Sequence, residues 1–378
     1  MDDDQNALDD QKALREAARG FLDQVCASPA VRAAIDTPDG YDPAVWWQMV
    51  EMGWSGLLIP SALGGADATF AEAMVIAREI GASVVPGPFL ASGVLAASLL
   101  RTVSNPRAGA VLGAIAEGDA LATVALTGPD GRWRGPTQPP PARAETSGDG
   151  WTLTGTFGFV PELASADQLV VAASLDGDYA LFLLDAAAPG VGRAAVKLFD
   201  LTRRLGTLEL SGVALDASSL LARGAEAEVL AGRAARRTKL ALAADAIGAA
   251  ARAQTLTVTY AKQRVQFDRP IGSFQAVKHK LANMFVTVEA SGAAVEQASE
   301  LIDTEPDSRL IDSAIAFVLD GAVTVAGDAV QVHGGIGFTW EHDCHLLLKR
   351  TLLDEALLGD AALYRENAAG SLLPAGAS

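Results

Sequence analysis

Tyr260-Ala-Lys-Gln-Arg-Val-Gln-Phe-Asp-Arg-Pro-Ile-Gly-Ser-Phe-Gln-Ala-Val-Lys-His-Lys-Leu-Ala-Asn-Met284 is the stretch on which the reading of this chain turns. It reads as a helix running in, an irregular turn over 267–273, and a second helix running out. Asp268, Pro270 and Gly272 separate the two helices, because proline cannot continue a helix and glycine tolerates the angles of a turn. Arg264 follows Tyr260 by four residues, one helical turn, so the two share a face. An arginine set just before an aromatic residue and a forced turn is poor core material. It suits an anion held beside a flat ring, since a guanidinium offers a fixed fork of donors to phosphate.

Composition bounds what surrounds this stretch. The 378 residues suffice for more than one core, and half of them are hydrophobic while only 6% are aromatic. The core is therefore built mainly from Ala, Leu and Val, which suit packed helices and half-buried strands. No apolar run is read as reaching the roughly 18 residues of a membrane helix. The acidic start, Met1-Asp2-Asp3-Asp4, is unlike a targeting peptide, so a cytoplasmic protein is expected. Cys26 and Cys344 are far apart and show no metal or redox spacing. A net charge of −17 argues against nucleic acid. Smaller polyanions need only local positive charge, and Arg236, Arg237, Lys239, Lys262, Arg264, Lys278 and Lys280 supply it within one region. Some of these must simply be solvated helix faces.

Periodicity divides the chain into three, giving an α+β multidomain fold. Residues 1–118 read as an N-terminal helical domain: Leu14, Ala18, Phe21 and Val25 recur at helical spacing, and the helix at Val45–Met52 stops at Gly53. Residues 119–224 alternate with period two, with strands at Trp151–Val160, Leu169–Ala173 and Tyr179–Leu184. Gly148-Asp149-Gly150 and Asp176-Gly177-Asp178 provide the turns, which predicts an antiparallel β-barrel or sandwich. Residues 225–378 return to long helices as a C-terminal bundle, with Ala-rich Leu240–Ala253 suited to close packing. Near its end, Gln331-Val332-His333-Gly334-Gly335-Ile336-Gly337 offers a glycine loop whose amides receive anions, or equally forms a tight turn. His342 and His345 have metal-ligand spacing but no further ligands in sequence, so no metal is assigned.

Several of these segments resemble one family. Lys262–Phe267, then Pro270-Ile271-Gly272 followed by Phe274-Gln275, are similar to the acyl-CoA dehydrogenase signature. The resemblance extends over essentially the whole chain, and Pro86-Gly87-Pro88-Phe89-Leu90 is like the actinobacterial branch. It implies that Arg264, Phe267 and Gln275 hold the adenosine diphosphate half of FAD. It also implies that Gln331 and the backbone near Gly334 and Gly335 meet the FAD of a neighbouring subunit. That means a homo-oligomer or a heterotetramer with a second chain of this kind. Ala125-Leu126-Thr127 matches the middle domain and places Thr127 among the cofactor residues. Asp268 departs from the family, which usually has glycine there. So does Gly128–Gly135, where a flavin-covering Gly-Ser-Asp turn is missing or rebuilt ahead of a Pro-rich loop.

The implied reaction is α,β-desaturation of an acyl-CoA thioester, with an electron-transfer flavoprotein as acceptor. It needs a carboxylate at the α-carbon. The family's usual glutamate falls at Gly359 here, and its alternative position, twenty-two residues before Tyr260, falls at Thr238 beside Lys239. Neither is acidic. Asp360 is the nearest acid and the candidate base, although one residue turns a helix by about 100° and a helix-cap role fits it as well. Asp354, Glu355 and Glu366 are poorer by position. Three readings follow: a working dehydrogenase using Asp360 on a bulky substrate such as a steroid side-chain thioester; a non-catalytic subunit lending FAD contacts to a partner; or a flavin oxidase of the same fold.

Overall fold

The computed structural model describes residues 2–133, 135, 136 and 138–370, with side chains from residue 10 onward. The acidic run at Met1–Asp4 and Arg134 of the rebuilt segment lie outside the described side chains.

The first helices are α1 (Asp2–Val25), α2 (Ser28–Ile35), α3 (Pro43–Glu51) and α4 (Phe70–Ala82). α1 buries Ala18 and Leu22 fully, whereas Phe21 and Val25 are only half-buried, so its inward stripe is rotated slightly from the predicted one. α3 starts where Asp42 accepts the Ala44 amide at 2.9 Å with Pro43 next in line, and Gly53 (φ 77°) follows its end. Phe89–Ala96 forms a buried π-helical segment running into α5 (Ala97–Leu100), and α6 (Pro106–Glu117) is capped by Asn105.

Strands then take over: β1 (Ala122–Ala125), β2 (Ala142–Ser147), β3 (Gly150–Pro161), β4 (Gln168–Leu175), β5 (Asp178–Asp185), β6 (Val191–Ala195), β7 (Leu205–Leu215) and β8 (Leu220–Arg223). They pair in the order β6-β7-β3-β2-β4-β5-β8, with β1 also on β4. β4 runs parallel to β1 and β2, and the other pairs are antiparallel. The sheet remains open at β6 and β8, so of the two expected forms the sandwich is found and the closed barrel is not. Leu153, Phe157, Leu169, Val171, Phe182, Leu184, Leu208 and Val213 fill its core, all essentially without solvent exposure. The register of β3 on β7 slips between Phe157 and Val160, at the point where Phe159 takes φ 55°.

The last part is α7 (Ala225–Gln263), a two-strand hairpin of β9 (Val265–Gln266) and β10 (Arg269–Pro270), α8 (Gln275–Thr304), α9 (Arg309–His333), α10 (Cys344–Ala356) and α11 (Ala361–Gly370). The expected irregular turn is therefore ordered: Gln266 pairs with Arg269, and Phe267 and Asp268 form the tip with φ 54° and 63°. Gly272 is not left-handed. Its missing Cβ would stand 2.9 Å from the Ala261 carbonyl, so close approach rather than backbone angle selects glycine there.

By compactness the chain divides into two units. One comprises Met1–Ala33, Phe70–Val85 and Lys239–Ser378, and the other Ala34–Thr69 and Pro86–Thr238. The division falls inside α7. In the first unit the alanines of α7 between Ala241 and Ala253 are buried almost without exposure, Ala251 excepted. They let backbones touch: a Cβ on Gly81 would lie 1.9 Å from the Asp245 carbonyl, and one on Gly248 1.9 Å from that of Arg78. The residues Arg309–Phe338 are long and apolar enough by length and mean composition to cross a membrane, although Asp312, Asp320 and Asp328 interrupt them, so they are not one unbroken apolar run. Half of its apolar window is buried within the protein, as in a core helix.

Gly248→Ala should therefore lower stability by about 2 kcal/mol through overpacking. Gly20→Ala, in α1 with open space around its Cβ, should raise it by roughly 0.5–1 kcal/mol. Chemical denaturation of the two variants against the parent checks both signs.

Candidate functional site

The hairpin that ends α7 presents its chemistry outward. The Arg264 amide still bonds Tyr260 O at 2.8 Å, and Ile271 N returns to Arg264 O at 2.8 Å, which clamps the hairpin to the helix end. The Arg264 side chain is exposed, and among the described residues no protein group bonds its guanidinium. Phe267 is 88% exposed. Its ring meets the edge of Phe274 at 6.1 Å, and Arg269 covers Phe274 at 4.0 Å. Gln275 is exposed at the first position of α8, whose Phe274 cap has no side-chain bond. An L-residue at positive φ is strained unless it is Asn, Asp or Gly, so Asp268 suits its place and Phe267 is held there against its preference.

The glycine loop lies at the end of α9. Gln331 is exposed in the last turn, Gly334 has φ 64°, and a Cβ on Gly334 or Gly335 would meet nothing within 4 Å. The hairpin and this loop belong to one unit, and a ring stack joins them: Tyr260 lies 4.5 Å from His333 at an interplanar angle of 23°. Tyr260 precedes Arg264 by one turn, and His333 follows Gln331 by two residues. Sequence reasoning does not reach this coupling; the helical offset of Tyr260 is the one available signal for it.

His333 is 4% exposed. Its Nδ1 bonds Ala329 O at 2.8 Å and lies 3.5 Å from Cys344 Sγ, with the His342 ring 4.5 Å away. His333, His342 and Cys344 converge closely enough to be considered as metal ligands. His342 Nδ1 already accepts the Cys344 amide at 3.2 Å, however, and burial pushes the Cys344 thiol up to about 12. The three side chains pack around the Tyr260–His333 stack. His345, three residues past His342, stacks on Trp340.

The acids of the base region lie elsewhere in the same unit. Asp360 is exposed and caps α11, accepting Leu363 N at 2.9 Å, while Glu355 accepts Ala361 N at 3.1 Å. Thr238 is buried and its hydroxyl is committed to Ala234 O at 2.8 Å. Asp354 is buried and Glu366 exposed. Leu358 and Gly359, before Asp360, have φ 56° and 99°. The basic run is not one patch: Lys239 is fully buried, and Lys280 pairs with Asp328.

Thr127 belongs to the other unit, where it is 6% exposed and donates to Gly158 O at 2.5 Å. Gly158 N in turn bonds Gly128 O at 3.1 Å, and Gly131 packs against Phe159. Gly128 and Gly131, at the start of the rebuilt segment, thus lie against β3.

An exposed guanidinium, an exposed ring and an uncrowded glycine loop are tied together by one stack, a set of groups whose chemistry suits a planar molecule bearing phosphates. Residues 8–119 match the acyl-CoA dehydrogenase N-terminal domain and residues 230–373 the acyl-CoA dehydrogenase C-terminal domain. The chain belongs to the acyl-CoA dehydrogenase family. It is 33% identical to the acyl-CoA dehydrogenase IpdE2 of Mycobacterium tuberculosis, over 90% of this chain and 91% of the relative. Among solved structures it is similar to the ChsE4–ChsE5 complex of Mycobacterium tuberculosis, with TM-score 0.88, 29% identity and coverage of 97% and 98%. It is also similar to the Tcur3481–Tcur3483 steroid enzyme variant, with TM-score 0.86, 28% identity and coverage of 96% and 98%.

Burial lowers the pKa of His333 from its ordinary 6.5, against the Ala329 carbonyl, which raises it. Below about 6.5 the unfolded chain then takes up a proton that the folded chain resists, so stability falls as the pH drops through that range. Thermal melts at pH 7.5 and pH 5.5 should show a smaller acid loss in His333→Gln than in the parent.

Proposed function

We propose that this chain serves FAD-dependent α,β-desaturation of an acyl-CoA thioester. The observation that carries the proposal is the Arg264–Phe267 arm held beside the Gln331–Gly335 loop by the Tyr260–His333 stack. Arg264 would hold the diphosphate, Phe267 and Gln275 the adenosine half, and Gln331 with the Gly334 and Gly335 amides a second set of contacts. These residues fit that half of the cofactor, since the cation has no protein partner among the described residues and the loop has open space. FAD, when bound, supplies the acceptor for the β-hydride.

The remaining chemistry is the removal of an α-proton. Asp360 is the acid nearest the family's glutamate slot and is the proposed base, sitting in water at the head of α11. A second reading has its own support. Gly359 and Thr238 leave both expected slots without a carboxylate, Asp360 is occupied as a helix cap, and Thr127 is bonded to the protein's own backbone. On that reading the chain is a half-site subunit that lends Arg264, Phe267 and the glycine loop to a second acyl-CoA dehydrogenase-like chain. The ChsE4–ChsE5 relative is itself a complex of two named chains, and the Tcur relative is described as a steroid enzyme, which favours a bulky acyl group. A cytoplasmic location and an electron-transfer flavoprotein as acceptor complete the proposal.

Flavin content decides between the readings. The chain purified alone, measured by visible absorbance against protein concentration, should carry close to one FAD if it is self-sufficient and little if it is half of a site. Arg264→Ala should cut the bound flavin by about tenfold or more, as loss of a charge-assisted phosphate contact does. Unchanged flavin in that variant would remove the assignment. Asp360→Asn should abolish bleaching by an acyl-CoA under the first reading, whereas under the second the bleaching of the complex with its partner chain should be unchanged.

A further inference from the structure

In the sequence Lys239 is one member of a basic run and the neighbour of an empty base position. In the structure its side chain has no exposure at all, and its Nζ lies 2.7 Å from each of three carbonyl oxygens, those of Asp354, Glu355 and Leu357. Those are the last carbonyls of α10 and the first of the turn that follows, groups a helix leaves without partners of its own. The ammonium therefore acts as a C-cap delivered from another helix, α7, over more than a hundred residues of sequence. The turn it grips contains two left-handed residues in succession, Leu358 and Gly359, and leads directly into Asp360. Tyr364 of α11 closes the arrangement: its hydroxyl donates to Leu358 O at 3.1 Å, and Lys239 Nζ stands 6.0 Å from its ring.

We propose that Lys239 is a positioning residue for the reaction: its ammonium fixes the Leu357–Asp360 turn and so sets where the acid at the head of α11 is presented. This rests on the desaturation reading for its catalytic consequence, and on the three carbonyl bonds for its structural one. Three acceptors call for three N–H bonds, which only the charged amine supplies. Burial works against that charge and lowers the pKa to about 7, while Glu355, Asp354 and Asp360 favour it. These carboxylates and the Tyr364 ring are the charged and titratable groups placed against it by α10 and α11. On deprotonation one of the three carbonyls loses its donor, and the left-handed turn loses part of its hold. Since the unfolded lysine binds its proton up to about 10.5, global stability would rise with pH over that window even as the turn loosens. The two effects have opposite signs and can be told apart.

The test uses the full chain, with any co-purifying partner, as the parent, Lys239→Met and Lys239→Arg. Flavin bleaching by a steroid side-chain CoA thioester and by octanoyl-CoA is followed from about pH 6.5 to 9, with amide hydrogen exchange measured over residues 357–364. Lys239→Met should slow bleaching by about tenfold with KM and flavin content nearly unchanged, the signature of a lost transition-state contribution. Lys239→Arg, which keeps a charge at all these pH values, should recover most of the rate and flatten the alkaline fall seen in the parent. Parent-like bleaching and exchange in Lys239→Met would overturn the proposal. If the parent itself bleaches with neither thioester, the desaturation reading fails for this chain alone. The exchange data then decide: lower protection factors at 358–363 in Lys239→Met, and in the parent at high pH after the base-catalysed intrinsic rate is divided out, support the positioning role, and unchanged protection refutes it. Should Lys239→Met not fold, the parent's pH dependence compared with Lys239→Arg carries the same decision.

Discussion

Two buried cations cross-tie α7 and α10, and the geometry of the C-terminal helices follows from them. Arg350 reaches from α10 to Asp245 of α7 with a forked pair of bonds, 2.8 and 3.0 Å, and continues to the Val85 carbonyl at 3.2 Å. Lys239 reaches the other way, from α7 to the end of α10. Burying such groups is costly, and removing one partner from a pair like Arg350–Asp245 typically loses roughly 3–5 kcal/mol because a bare charge remains. What the arrangement gains is register. A helix lined with alanine packs well in many sliding positions, and two charged ties separated along α7 admit only one.

That constraint explains how the site is divided. The far end of α7 delivers Tyr260 and Arg264 to the glycine loop, while its middle delivers Lys239 to the turn before Asp360. One helix thus places both the Arg264–Phe267 arm and the residues around the candidate base. The alanines make this possible, since only small side chains let Gly81 and Gly248 bring neighbouring backbones into contact.

Much of this is legible in the sequence for identifiable reasons. The signature around Arg264 is long, and its proline, glycine and aromatic residues are dictated by a hairpin between helices, so the fold class and family can be read from it. The strands at Leu169–Ala173 and Tyr179–Leu184 are short continuous apolar runs beside turn residues, and they lie within β4 and β5, where they are buried on both faces. β6 escapes such reading because Val191–Ala195 is mostly exposed and carries no apolar rhythm. The tip at Phe267-Asp268 reads as irregular because its residue types disguise a turn that usually favours Asn-Gly. At the site, an exposed arginine is visible to sequence reasoning, but a lysine that caps a distant helix is not. Nothing local to Lys239 announces partners more than a hundred positions away.

Phe267 carries a consequence for the life of the molecule after synthesis. Its ring is almost wholly in water, and Phe338, Val286, Phe285 and Phe317 of the same unit are also at least half exposed. Uncovered apolar surface of this kind favours promiscuous self-association. Any binder that covers it, cofactor or second chain, adds its own binding free energy to the folded state. The abundance of this protein in a cell would then be set by the supply of what it binds as much as by its own rate of synthesis, with surplus copies the first to be lost to proteolysis.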